Sequence, residues 1–197
     1  VVAGLWGSNL TSKPQMWFYD VNAKVNRTLD ARNRMFFSLY SGGDHTVFNK
    51  LVKGYGMDWG NATATIRWNH ILNDKTNVNT SAVFSNYYYK YKSLSDGLRY
   101  VWKSNMQSYQ LKSDWERYQN NLLTLKGGVN LHYFTTMPGE VGKSGKDSNI
   151  TPSQMPRKSL WDAALYAEAN YKFLPHFLLN AGVRLSVLHA PASAYYA

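Results

Sequence analysis

Five histidines, His45, His70, His132, His176 and His189, are the side chains best suited to hold a metal or relay a proton. No two of them stand at HxxxH or HExxH spacing, so the sequence presents no zinc-binding pair. His176 falls in a short turn and His70 at a strand end, and surface or interface positions are expected for all five. Asp162 and Glu168 alternate onto one face of an extended segment. The chain between them spans about 20 Å, too far for the paired carboxylates of acid–base hydrolysis, which stand about 5–10 Å apart. There is no Gly-x-Ser-x-Gly elbow and no phosphate-cradling Walker loop. "GGDH" and "GKSGKDS" hold glycines with polar neighbours but lead from no strand into a helix, so they read as flexible loops. Cysteine is absent, which removes disulfides and thiolate ligands. Neither catalysis nor a cofactor is expected.

The polar residues follow another rule: they come every second position. Asp20, Asn22, Lys24 and Asn26 alternate with Tyr19, Val21, Ala23 and Val25. Thr63, Thr65 and Arg67 alternate with Ala62, Ala64, Ile66 and Trp68. Period 2 is the mark of a strand with two unlike faces. Eight segments carry strand character, at about 15–26, 34–41, 60–72, 77–89, 100–115, 122–135, 160–171 and 177–188. No segment has a 3.6-residue stripe. The expected class is all-β, antiparallel and up-and-down.

Most of these segments exceed the usual strand of about five or six residues and match the roughly 9–11 that a membrane strand needs. The fifth is polar on both faces from Ser104 to Lys112, and its upper part is expected to stand above a membrane. The connections alternate in length. "RTLDARNR", "NDKTN", "ERYQNN" and "KFLPH" are short, whereas 41–59, 90–100 and 136–159 are long. Strict alternation sends all short turns to one end, as in bacterial outer-membrane barrels. The competing reading is a soluble lipocalin-like barrel with aromatics in its core.

Fifteen tyrosines and seven tryptophans fit interfacial belts. Trp17, Trp59, Trp68, Trp102, Trp115 and Trp161 fall near strand ends, where an aromatic girdle belongs. The net charge is +10, but Lys and Arg are scattered and form no dense stripe, so nucleic acid is not an expected partner. The basic, glycine-rich stretch 139–158, with Lys143, Lys146, Arg157 and Lys158, reads as a solvated loop or as a contact for an anionic ligand, lipopolysaccharide or a lid.

Three stretches, "MFFSLYSGGD", "MDWGNATATIRWNHILNDKTNVNTSAVFSNYYYKY" and "AALYAEANYKFLPHFLLNAGVRLSVL", resemble the barrel of TonB-dependent outer-membrane receptors. The likeness is greatest to the nutrient-uptake branch that includes the SusC-like transporters. It covers about 17–188, and the run "WGNATATIRWNHI" is its most specific part. The whole of 1–197 then reads as a transmembrane barrel segment, with no plug domain and no TonB box. "ASAYYA" is not a terminal strand closing on an aromatic residue. About eight strands would be part of a barrel of about 22.

The resemblance implies an outer-membrane location in a Gram-negative bacterium and import of a nutrient with TonB-coupled energy. It implies as partners the membrane lipid and lipopolysaccharide, the remaining barrel and plug of the same receptor, the TonB system and a SusD-like surface lipoprotein. Asn22, Lys24, Thr65, Arg67, Lys126, Asn130, Glu168 and Arg184 would face the lumen. Val21, Ala23, Ile66, Trp68, Val129, Leu165, Val183 and Leu185 would face lipid. The alternative is a complete eight-stranded outer-membrane barrel with a structural or adhesive role.

Overall fold

The computed structural model describes residues 14–49, 54–95, 98–145, 148–174 and 176–191. Among them there is no helix; they form one antiparallel sheet. Its strands are β1 (Gln15–Thr28), β2 (Asn33–Asn49), β3 (Gly54–Asn73), β4 (Thr76–Ser95), β5 (Leu98–Tyr118), β6 (Leu123–Lys143), β7 (Ser153–Gln154), β8 (Lys158–Leu174) and β9 (Phe177–His189). The eight long strands lie in the order of the chain, each beside its neighbour in sequence. β7 is a two-residue piece added to β6 at Glu140 and Val141. This is the up-and-down meander that the alternation predicts. No ladder joins β1 to β9 among the described residues, so the sheet is an open strip.

The strands are longer than the sequence suggests. β5 and β6 run for 21 residues each, about 70 Å of extended chain. Most of the connection expected at 41–59 is the end of β2 and the start of β3, and 90–100 is mostly β4 and β5. Part of the expected loop at 136–159 is likewise the end of β6, and Lys146 lies outside the described residues. One end of the sheet therefore differs from the other by strand overhang more than by loop length. Gly42, Gly43 and Gly60 sit in strands, and the one glycine with positive φ among the described residues is Gly145. A Cβ on Gly43 would stand 2.9 Å from the Tyr19 ring, and one on Gly60 would stand 2.7 Å from the Tyr88 ring. These glycines are bare sheet surface covered by tyrosines, a known way to keep glycine in a strand.

At the opposite end three of the tight turns are closed by side-chain caps, that between β3 and β4 by Asn73, which accepts the Lys75 backbone N–H at 3.0 Å. Asp30 accepts the Arg32 backbone N–H at 2.7 Å, and Asn120 accepts those of Leu122 and Leu123 at 2.9 Å. A short polar side chain that mimics the backbone in this way fixes a turn.

Cross-strand partners share a face, so the register sorts the whole sheet. One face carries Val21, Ala23, Leu39, Ile66, Trp68, Leu111, Val129, Leu165, Val183 and Leu185. The other carries the alternating polar positions. In β8, Trp161, Ala163, Leu165 and Ala167 are exposed, whereas Asp162, Ala164, Tyr166 and Glu168 are half-buried or buried. Ala164, 4% exposed, is the one buried hydrophobic side chain among the described residues, and Val183 is 76% exposed. A single layer of this kind has no core of its own. Its apolar face needs an apolar medium, because exposed patches of this extent are rare on soluble monomers.

The apolar face has a marked upper edge. Phe84, Tyr109, Tyr133 and Trp161 sit side by side on β4, β5, β6 and β8. Their ring centroids are 5.1, 6.2 and 4.5 Å apart in succession. The next position up on the same face is Asn86, Gln107, Thr135 and Ser159. Higher still, His45, Asp58, Lys90, Lys103 and Glu140 form one row across β2 to β6. Lys90 is 3.7 Å from Asp58 and Lys103 is 3.6 Å from Glu140. Trp17, Trp68, Trp115 and Trp161 share the apolar face, but Trp59 and Trp102 fall on the opposite one. Of the six tryptophans expected in a girdle, four thus share the apolar face with the row of tyrosine and phenylalanine, and two do not. Chain position near a strand end was no guide to the face, because alternation decides it.

Candidate functional site

The polar face is the candidate site. Its side chains are held by ladders whose register leaves each row in a fixed place. Asn22 pairs with Tyr40, which pairs with Thr63. Lys24, Ser38, Thr65, Val83, Gln110 and His132 make the next row. Then come Asn26, Phe36, Arg67, Ser81, Lys112, Asn130 and Ala164. Below them Asp114, Gly128, Tyr166 and Arg184 align, followed by Glu116, Lys126 and Glu168. All eight residues expected on the polar side lie on this one face, and all eight expected on the apolar side lie on the other.

The register divides the eight among separate places. Lys24, Thr65 and Arg67 line one hollow of about 450 Å³ together with Ser38, Ser81 and Lys112. Glu168 and Arg184 line a second, of about 330 Å³, with Lys112 and Tyr166. Lys126 belongs to a third, of about 990 Å³ near the capped turns, with Glu116, Lys75 and Lys172. Asn22 and Asn130 line none of these. Asn130 is buried and accepts the Gln110 amide at 2.8 Å. That bond makes it a packing residue in the wall.

Ion pairs and hydrogen bonds fix the lower part of the face. Lys112 Nζ lies 2.8 Å from Asp114, and Lys126 Nζ lies 3.4 Å from Glu116. Tyr166 donates its hydroxyl to Asp114. Glu168 accepts the amides of Asn170 at 2.9 Å and Asn180 at 3.3 Å. On the row of Lys112, Arg67 stacks its guanidinium 4.6 Å over the Phe36 ring. These groups bind charge and hold position. Among the described residues no three His, Cys, Asp or Glu side chains converge on a point that could hold a metal ion.

Five residues that shape the face are not among the eight expected on it: Phe36, Gln110, Lys112, Asp114 and Tyr166. Lys112 lay in a segment read as polar on both faces, yet Tyr109 and Leu111 go to one side and Gln110 and Lys112 to the other. Counting positions from Leu111 would have found it. Tyr166 and Asp114 are 52 residues apart in sequence, so no local pattern pairs them.

The chain matches the family model described as TonB dependent receptor-like, beta-barrel, over residues 7–191. No curated protein sequence matches it. Solved structures similar in fold include two receptors. The first is BauA, the ferric preacinetobactin receptor from Acinetobacter baumannii, at 12% identity and a TM-score of 0.62, covering 90% of this chain and 34% of that one. The second is the siderophore receptor PiuA from Acinetobacter baumannii, at 14% identity and a TM-score of 0.59, covering 96% of this chain and 38% of that one. The chain thus spans little more than a third of either receptor.

Proposed function

The chain belongs to the TonB-dependent receptor-like β-barrel family, and on that premise we propose that it is part of the wall of an outer-membrane receptor that imports a nutrient with TonB-coupled energy. In this reading the apolar face meets lipid and the polar face lines the lumen, toward a plug and the solute path. Val21, Ala23, Ile66, Trp68, Val129, Leu165, Val183 and Leu185 contact acyl chains. Asn22, Lys24, Thr65, Arg67, Lys126, Asn130, Glu168 and Arg184 belong to the lumen wall.

The observation that carries the reading is the sorting of faces beneath the aromatic row of Phe84, Tyr109, Tyr133 and Trp161. On β8 the apolar alternation runs from Trp161 to Tyr171, and a membrane strand needs about 9–11 residues to cross. Open strand edges do not survive in lipid. The free edges of β1 and β9 therefore call for further strands of the same receptor. At the upper edge, charged residues begin on the apolar face above the polar row of Asn86 and Gln107, where head groups and lipopolysaccharide belong; at the opposite edge Arg27 and Arg117 stand on it beside the tight turns. The finer placement is the SusC-like branch, with a surface lipoprotein over the overhanging strands, and it rests on the run from Trp59 to Ile71.

This stretch carries no cysteine, so labelling of a cysteine introduced into it is read against the receptor that lacks that cysteine. In the full receptor in intact outer membranes, Thr65→Cys reacts with a water-soluble maleimide once the plug is displaced by urea, and Ile66→Cys does not. Uptake of the transported nutrient stops when TonB is deleted. Labelling of Ile66→Cys with Thr65→Cys silent, or uptake that is indifferent to TonB, overturns the proposal. Co-purification of a lipoprotein with the receptor separates the SusC-like branch from receptors that work alone.

A further inference from the structure

We infer that the hollow between Lys24, Arg67 and Lys112 is a carboxylate-binding site on the inner wall, an assignment that rests on the lumen reading above. The hollow holds about 450 Å³, room for a carboxylate and the group that carries it. Three cations meet there on adjacent rows of one face. Lys24 shares its row with Ser38 and Thr65, and Arg67 shares the next with Ser81 and Lys112. Only Lys112 has an acidic partner, Asp114 at 2.8 Å. Among the described residues Lys24 and Arg67 have none, and the contact that Arg67 makes is with the Phe36 ring.

That ring gives the site its geometry. A guanidinium laid 4.6 Å over an aromatic face keeps its plane while its edge N–H groups stay free. Such an edge matches the two oxygens of a carboxylate, a fit that a lysine ammonium cannot reproduce. The hydroxyls of Ser38, Thr65 and Ser81 line the same hollow and add donors. The place also matters. Arg67 lies one position from Ile66 on the apolar face, within the band that spans the bilayer in this reading. An ionisable residue at membrane depth is kept for a partner or a path. The carboxylate can come from an acidic side chain of the plug or from the imported solute.

The test uses the full receptor in detergent, with Lys24→Gln/Arg67→Gln and Arg67→Lys variants and citrate as the probe. If the solute supplies the carboxylate, wild type binds citrate and the double variant binds it at least about tenfold more weakly, as expected from losing one charge-assisted bidentate contact. Arg67→Lys then recovers only part of the affinity. If the plug supplies it, citrate does not bind wild type, and the double variant releases its plug at a lower denaturant concentration than wild type does. No change in either measurement overturns the inference. So does inorganic phosphate that displaces citrate at equal concentration, which would mark a general anion site. The maleimide pattern at Thr65 and Ile66 is read on the same protein: if it holds while both charge measurements are flat, the carboxylate site is wrong and the lumen reading stands.

Discussion

Tyr166 on β8 reaches across bare Gly128 on β6 and donates its hydroxyl to Asp114 on β5. The three residues share one row, and the absent side chain in the middle is what lets the ring lie flat. A Cβ at Gly128 would stand 2.7 Å from the Tyr166 ring and 2.6 Å from the Ser113 carbonyl oxygen. The ring could swing away, but the carbonyl is part of the sheet. Gly128→Ala is therefore expected to destabilise the barrel by about 1–3 kcal/mol, the usual cost of overpacking. Tyr166→Phe should cost about 1.5–3 kcal/mol, because it removes the hydroxyl's charge-assisted bond and leaves Asp114 only its Lys112 partner. Denaturant unfolding of the intact receptor in micelles measures both. A double variant that costs the sum of the two would show that the ring and the glycine do not act together.

Ile66 and Thr65 are adjacent in β3 and belong to opposite faces. Arginine at Ile66 should cost about 2–4 kcal/mol of insertion free energy if that residue meets the middle of the bilayer. Arginine at Thr65 should be tolerated, since it joins a face that already carries Lys24 and Arg67. Heat-modifiability after expression in outer membranes reports folded barrel in each case. Equal loss at the two positions would mean that the faces are assigned the wrong way round or that neither meets lipid.

Alternation was enough to place the strands and to divide residues between faces, because one position of slip would move every side chain to the wrong side. That is why Asn22, Lys24, Thr65, Arg67, Lys126, Asn130, Glu168 and Arg184 come out together. Strand length was not legible. "GGDH" contains two glycines and reads as a flexible loop, and only the register reveals Tyr19 from β1 and Tyr40 from β2 lying over them. The division of the polar face into hollows was equally hidden. Phe36 precedes Arg67 by 31 positions, and their contact exists only because β2 and β3 pair them directly.

The turn between β1 and β2 should loosen in acid. The Arg32 backbone N–H, and after it the Asn33 side chain, hold the Asp30 carboxyl below its ordinary value. A carboxylate lowered in the folded state contributes above its unfolded pKa, and that contribution is lost as pH falls through the lower folded value. Amide protection at Arg32, corrected for intrinsic exchange and read by mass spectrometry, should hold at about pH 5 and fall only below about pH 4, under the usual Asp range. Asp30→Ala should remove the pH dependence. Protection already lost near pH 5 would mean that the carboxylate does not cap the turn.

The row Phe84, Tyr109, Tyr133 and Trp161 offers the last test, because it separates ring contact from mere hydrophobicity. Tyr133 is the hinge of the row, with centroids 6.2 Å from Tyr109 and 4.5 Å from Trp161. Aromatic pairs of this kind contribute about 0.5–1.5 kcal/mol beyond the area they bury. Tyr133→Phe keeps both ring contacts and loses only the hydroxyl, which at the head-group level can reach water. Tyr133→Leu keeps an apolar side chain and loses both contacts. The expected result is a near-neutral Phe variant and a Leu variant weaker by about 1–3 kcal/mol, two ring pairs' worth. A Tyr133→Leu/Trp161→Leu cycle should recover a coupling of about 0.5–1.5 kcal/mol for the closer pair. If Phe and Leu behave alike and the cycle shows no coupling, the rings are neighbours by register alone, and the upper edge of the apolar face is set by the polar row of Asn86, Gln107 and Thr135 above it.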